Sequence, residues 1–180
     1  MHKIIAVIVT YYPDDLHFKA LLSSLGGQCH KVIVVDNTDS IDDTISSFIS
    51  EAEHPNHRFQ LIRLLDNFGI AKALNVGIQY AIDEGADFVL LSDQDSLPEN
   101  EMVGSLLRVY SELSAVGVQV GAVGPTFTDL HRARAVPFQV QLPGRLFYGH
   151  QAPTKEVPHV EALSLISSGS LIPVSILRDV

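Results

Sequence analysis

The sequence predicts an α/β domain whose mostly parallel central sheet is flanked by helices. Short apolar runs alternate with amphipathic segments through the first two-thirds of the 180 residues, the pattern of strands joined by crossover helices. Phe88-Val89-Leu90-Leu91 is apolar throughout, as expected of a strand buried on both faces. It breaks into Ser92-Asp93-Gln94-Asp95, placing two carboxylates at the carboxyl end of a strand, where open α/β sheets bind ligands.

In chain order, residues 4–10, 32–35, 59–65 and 88–91 are expected strands, and residues 14–25, 41–51, 70–84 and 97–113 expected helices. The first run is too short for a signal peptide, and Thr10-Tyr11-Tyr12-Pro13 follows without a small-residue cleavage site. Pro13 then forces the chain out of the sheet. The second helix opens with Ser40 and, three places on, Asp43, a capping-box-like start. The third carries Ile70, Leu74, Ile78 and Ile82 as one apolar stripe, with Gly77 signalling close packing against the sheet. Pro98 falls in the first turn of the fourth.

The pattern changes near Gly117. Residues 118–123 are an expected strand ending at Gly124-Pro125, and the next stretch, with Pro137, Pro143, Pro153 and Pro158, predicts short strands and loops draped over one end of the sheet. Alternation across residues 162–167 predicts a further strand. Pro173 opens a helix that reaches Val180 without a Gly or Asn cap. The expectation is a single domain over residues 1–180, cut short at its C-terminus.

Composition narrows the function classes. Hydrophobic residues make up 46% and charged residues 18% of the chain, which describes a globular protein and not a disordered one. The net charge of −9 offers no electrostatic footprint for nucleic acid. The scattered Lys and Arg form no cluster for an anionic membrane, so at most peripheral membrane contact is expected. No run approaches the roughly 18 apolar residues of a span. Cys29 is the only cysteine, so no intrachain disulfide forms and a reducing, cytoplasmic compartment is the simpler reading.

Several strand ends carry polar groups. If the strands ending at Thr10, Asp36 and Asp93 are parallel, Thr10, Tyr12, Asp36 and Asp93 converge on one crevice. An aromatic face beside a carboxylate acceptor suits a nucleobase or ribose, although Asp36-Asn37 equally well begins a turn. Asp93 and Asp95 are hard oxygen donors suited to Mg²⁺ or Mn²⁺, although paired acids also cap helices. In the stretch from Asn67 to Gly77, Gly69 permits a tight entry to a helix whose N-terminus would present N–H groups to an anion. Asn75 is disfavoured within a helix, which marks it for a ligand or for a neighbouring loop. The spacing is not Gly-x-Gly-x-x-Gly after the first strand, so a nicotinamide dinucleotide fold is disfavoured. His54 and His57, beside Pro55, suggest a solvated loop and not a metal site.

The ordered set Val9-Thr10-Tyr11-Tyr12, Val34-Val35-Asp36-Asn37, Asn67-Phe68-Gly69 through Asn75-Val76-Gly77, Ser92-Asp93-Gln94-Asp95 and Ser167-Ser168-Gly169-Ser170 resembles the inverting nucleotide-sugar glycosyltransferases of family two, with the GT-A fold. The Asp-Gln-Asp-Ser form and Gly69-Ile70-Ala71-Lys72-Ala73-Leu74-Asn75 are most similar to bacterial rhamnosyltransferases of surface-polysaccharide assembly. By this resemblance Thr10, Tyr12 and Asp36 hold the nucleoside and Asn67 and Asn75 belong to the nucleotide site. Asp93 lies near ribose and diphosphate, and Asp95, with Asp93, binds the metal. The partners implied are a nucleoside diphosphate sugar, dTDP-rhamnose, and a carbohydrate or lipid-linked saccharide acceptor at the inner face of the membrane.

The family's general base is an acidic residue in a segment beyond Ser168-Gly169. Asp179 comes too early in the final helix to inherit that role, so the base is expected beyond Val180. Two alternatives stand beside this reading. A haloacid-dehalogenase-like phosphatase would use Asp93 as nucleophile and Asp95 as acid/base, though its strand normally comes first in the fold. A binding module would keep the sugar-nucleotide pocket without chemistry.

Overall fold

The computed structural model describes residues 2–40, 43–52, 58–129, 134–142 and 148–178. Strands β1 (Ile4–Thr10), β2 (Lys31–Asp36), β3 (Phe59–Arg63) and β4 (Phe88–Asp93) alternate with helices α1 (Asp15–Gln28), α2 (Thr44–Ala52) and α3 (Ile70–Asp83). Helix α4 (Met102–Ala115) follows, then the short pairs β5 (Thr128–Asp129) with β6 (Arg134–Ala135) and β7 (Phe138–Gln141) with β8 (Tyr148–Gln151). Strand β9 (Leu171–Pro173) and α5 (Val174–Leu177) complete the described chain. The main sheet has the order β3-β2-β1-β4-β9, parallel except for β9. Because β2 and β3 lie on one side of β1 and β4 on the other, the strand order reverses between β1 and β4.

Continuous apolar strands follow from cover on both faces. Alternate residues Ile4, Ala6 and Ile8 meet α1, α2 and α4 through Phe18, Leu22, Phe48 and Leu106. The intervening Ile5 and Val7 pack with Ala73 and Ala81 of α3 and with Val174. The expected stripe on α3 is corrected in one respect. Its buried centre is the small row Ala73, Gly77 and Ala81, while Leu74, Ile78 and Ile82 flank it and Ile70 is exposed. Small side chains bring the helix close to β1 and β2.

Other boundaries moved for identifiable reasons. Helix α4 starts at Met102 and not near Leu97, because the Pro98 and Glu99 carbonyls accept from Ser24 Oγ and Gln28 Nε2 of α1 (3.1 Å each). Gln28 Oε1 in turn accepts from the Val103 N–H at 3.1 Å. Helix α2 starts at Thr44, with Asp43 O accepting from the Ser47 N–H; residues 41 and 42 lie outside the described residues, as do His54, His57 and Asp179.

The strands expected at residues 118–123 and 162–167 are not formed. Only Val123 pairs, with Leu171, and Pro125 has no N–H to extend that bridge. The edge beside β4 is taken instead by β9, later in the chain than expected. Leu163 and Ile166 stay exposed while Leu165 is half-buried beside Gly124, so the alternation presents no continuous covered face.

At the start of α1, Asp14 Oδ1 accepts from the Leu16 and His17 N–H groups, each at 3.2 Å. The His17 N–H, followed by the His17 ring, holds the Asp14 carboxyl below its usual range. The ionised cap therefore stabilises the fold above the ordinary carboxylate range and loses its effect as pH falls through the lowered value. Asp14→Ala is expected to lower the melting temperature at neutral pH, with the gap to wild type closing in acid. A constant gap across a pH series of thermal melts would contradict this.

Candidate nucleotide site at the carboxyl edge of the sheet

Register, not sequence proximity, assembles the site. Thr10 pairs with Asp36 and Val9 with Asp93, so the ends of β2, β1 and β4 lie side by side. Ligands bind at such a reversal of strand order. A cavity of about 290 Å³ opens there, lined by Val9, Tyr11, Asn37, Asn67, Ile70, Asp93 and Gln94. A cavity of about 470 Å³ at the opposite edge is lined in part by Lys3, Lys31, Arg58 and Glu84. There Lys31 Nζ donates to Glu84 Oε1 at 2.7 Å and depresses the Glu84 pKa, so its charge is already engaged. We place the site at the smaller cavity, where the strand ends meet.

The predicted residues divide into groups. Asn67 and Asp93 line the cavity. Thr10 and Asp36 are at its edge but buried, at 0% and 3% exposure. Thr10 Oγ1 makes a long 3.5 Å contact to Val35 O, and Asp36 Oδ1 accepts from the Thr38 N–H at 3.0 Å. The turn reading of Asp36 is therefore met in the same residue that ends the strand. Tyr12 is exposed, has φ +45°, and donates its hydroxyl to Asp39 Oδ1 at 2.6 Å. That bond to a carboxylate raises the Tyr12 pKa. Asn75 is exposed on α3 and is not part of the cavity lining.

Asn37, which the sequence offered only as part of a motif, organises this edge together with the predicted Asn67. Asn37 Oδ1 accepts from the Phe68 N–H, and Asn37 Nδ2 donates to Asn67 Oδ1, which also accepts from the Gly69 N–H, all at 3.0 Å. This network shapes the entry to α3, whose N-cap Gly69 has φ +81° and no side-chain cap. The first-turn N–H groups of a helix have no intrahelical acceptor.

A second organising contact joins segments far apart in sequence. The Asp93 N–H donates to Ser168 Oγ at 3.2 Å, Ser167 Oγ donates to Asp93 Oδ1 at 3.3 Å, and the Ser96 and Ser168 hydroxyls hydrogen-bond each other. Gly169, at φ +82°, makes this turn possible; a Cβ there would lie 2.6 Å from Pro125 Cγ. Local pattern marks Ser167 to Ser170 as a strand end but cannot reveal the partner.

The acidic turn suits a divalent cation that is shared with a ligand. Asp93 is half-buried and Asp95 exposed. Among the described residues no group of three or more His, Cys, Asp or Glu could hold a metal. Two carboxylates with phosphate oxygens and water are a common Mg²⁺ arrangement. Away from this edge, burial pushes the Cys29 thiol up to about 12, so it is protonated at neutral pH. No described helix is long and apolar enough to cross a membrane.

Comparisons with known proteins bear on the family and the fold. The family model for Glycosyl transferase family 2 matches residues 7–178. The chain is 35% identical over 135 residues to the dTDP-rhamnosyl transferase RfbF of Shigella flexneri, covering 75% of this chain and 42% of that protein. It therefore spans less than half the length of this curated relative. Among solved structures, the mannosyltransferase PcManGT from Pyrobaculum calidifontis, in complex with GDP-Man and Mn²⁺, is similar with TM-score 0.56 and 22% identity, over 71% of this chain and 36% of that one. Residues 1–349 of S. aureus TarS match with TM-score 0.52 and 17% identity, over 98% of this chain and 48% of that one. These likenesses show a GT-A fold. With the family model spanning nearly the whole chain, this protein belongs to glycosyl transferase family 2.

Proposed function

We propose that this edge of the sheet binds dTDP-rhamnose and that the protein transfers the sugar, with inversion, to a carbohydrate or lipid-linked acceptor of bacterial surface-polysaccharide assembly. The observation that carries the reading is the register that sets Thr10 beside Asp36 and Val9 beside Asp93 at one crevice. The choice of dTDP-rhamnose rests on the likeness to a dTDP-rhamnosyl transferase. The reaction would take place in the cytoplasm, at the inner face of the membrane.

In this reading Thr10, Tyr12 and Asp36 hold the nucleoside, helped by Asn67 and Asn75. Asp93 faces ribose and diphosphate, and Asp93 with Asp95 would hold Mg²⁺ or Mn²⁺. Such a cation, when bound, neutralises charge that develops on the departing nucleoside diphosphate. Ser167 and Ser168 fix the Asp93 carboxylate and backbone in place, so that the acidic turn is ordered before a ligand arrives. The open N-terminus of α3 favours anionic oxygen nearby. We assign the general base to none of the described residues. Membership of the transferase family sets aside the phosphatase alternative; β4 is also fourth among the strands, not first.

Calorimetric titration of dTDP, UDP and GDP, each with and without Mn²⁺, tests the reading. Binding of dTDP in preference to the others, tightened at least about tenfold by Mn²⁺, is expected. Equal affinity for all three, or no effect of metal, would overturn it. A chain that binds dTDP with Mn²⁺ but turns over no dTDP-rhamnose is a binding module.

A further inference from the structure

We propose that Gln94 is a positioning residue that couples the two halves of the nucleotide site, the aromatic corner Tyr11-Tyr12 after β1 and the acidic turn Asp93-Asp95 after β4. The inference rests on the nucleotide reading above and adds a function for the residue between the two acids. Gln94 Oε1 accepts from the Tyr11 N–H at 2.7 Å, and Gln94 Nε2 donates to Tyr11 O at 3.1 Å. Only one orientation of the carboxamide satisfies both, because the N–H needs an acceptor and the carbonyl a donor.

Backbone pairing of β1 with β4 stops at Val9 and Asp93. Beyond that point the Gln94 side chain continues the ladder across the reversal of strand order. It does so where the main chain is under strain, since Tyr12 adopts φ +45°, uncommon for a residue other than glycine. Such a conformation persists where neighbours over-determine it. Here Gln94 grips the backbone of the corner and Asp39 its hydroxyl, while the Tyr11 and Tyr12 rings meet edge to face with centroids 4.8 Å apart.

The contact is not core packing. Tyr11 and Tyr12 are 44% and 54% exposed, so the latch orients surface aromatics beside a cavity that Tyr11, Asp93 and Gln94 all line. A shift of the acidic turn moves the residue that holds Tyr11, and a base stacked at Tyr11 stiffens the turn. Linkage makes such coupling reciprocal: metal tightens nucleotide by the same factor as nucleotide tightens metal.

The test compares wild type, Gln94→Met, which keeps length but loses both hydrogen bonds, and Gln94→Ala. The readout is the ratio of dTDP dissociation constants without and with Mn²⁺, measured by calorimetry below the melting onset of each protein. In the variants this ratio is expected to fall by about fivefold but to stay above one, since Asp93 and Asp95 remain to hold the cation against the diphosphate, with metal-free dTDP binding changed less. A purely structural role would weaken both conditions equally and leave the ratio intact. Retention of the wild-type ratio within about twofold in both variants would overturn the coupling and leave the nucleotide reading standing. Failure of wild type to bind dTDP at all would instead overturn the nucleotide reading itself.

Discussion

Asp95→Asn is expected to remove the Mn²⁺-dependent gain in dTDP affinity while leaving metal-free binding and thermal stability close to wild type. Asparagine keeps the size of the side chain but removes the charge that a hard cation requires. Loss of one charge-assisted contact corresponds to about 10- to 150-fold in affinity. Asp95 is exposed, so the fold does not depend on it. Asp93→Asn is expected to act in the same direction, because its amide oxygen can still accept from Ser167 Oγ as the carboxylate does. On the proposed reading, transfer from dTDP-rhamnose should fall at least as steeply as binding, since a bound cation would act most strongly on the charge of the leaving group. An undiminished Mn²⁺ effect in both variants would remove the acidic turn from the metal site.

Gly77→Leu is the substitution expected to harm stability most. The α3 face at Gly77 rests on β1 and β2, where an added Cβ would overlap Val7 and stand 2.9 Å from Val35 Cγ2. Both valines are fully buried, and β-branched side chains on strands have few other rotamers. Overpacking of this kind costs about 1–3 kcal/mol and occasionally more; a leucine belongs at or above the top of that range. Gly77→Ala separates two effects. Alanine gains about 1 kcal/mol of helix propensity yet still places a Cβ against the valines, so a smaller net loss is expected. Urea melts would measure both, and a stabilised Gly77→Ala protein would show that α3 can lift from the sheet without penalty.

Gly77 also illustrates how legible the fold was. A glycine inside a strongly periodic helix implied a close approach, and the approach is there. The stripe around it was misjudged by one position, because hydrophobicity points to Leu74 and Ile78, whereas proximity to the sheet selects the small residues one place earlier, Ala73 and Gly77. The late strands show a different limit. Residues 118–123 and 162–167 have strand-like patterns, but a strand needs a partner, and the place beside β4 went to Leu171–Pro173.

The candidate site divides in the same way. Asp93 and Asp95 were visible because a fully apolar strand ended at them. Gln94 stood between them as part of the motif but with no role assigned, since its partner is the backbone of Tyr11, 83 residues away. Asn37 and Asn67 likewise meet across 30 residues, and Ser168 reaches the Asp93 N–H across 75. The sequence by itself determined the strands and helices of the first two-thirds of the chain, which strand ends are polar, and the family those ends resemble, because period and composition act over a few residues. Only the tertiary structure decided which of those ends face one another and which side chains hold them there. Hydrogen bonds between distant segments depend on register and strand order, and these leave no local trace in composition.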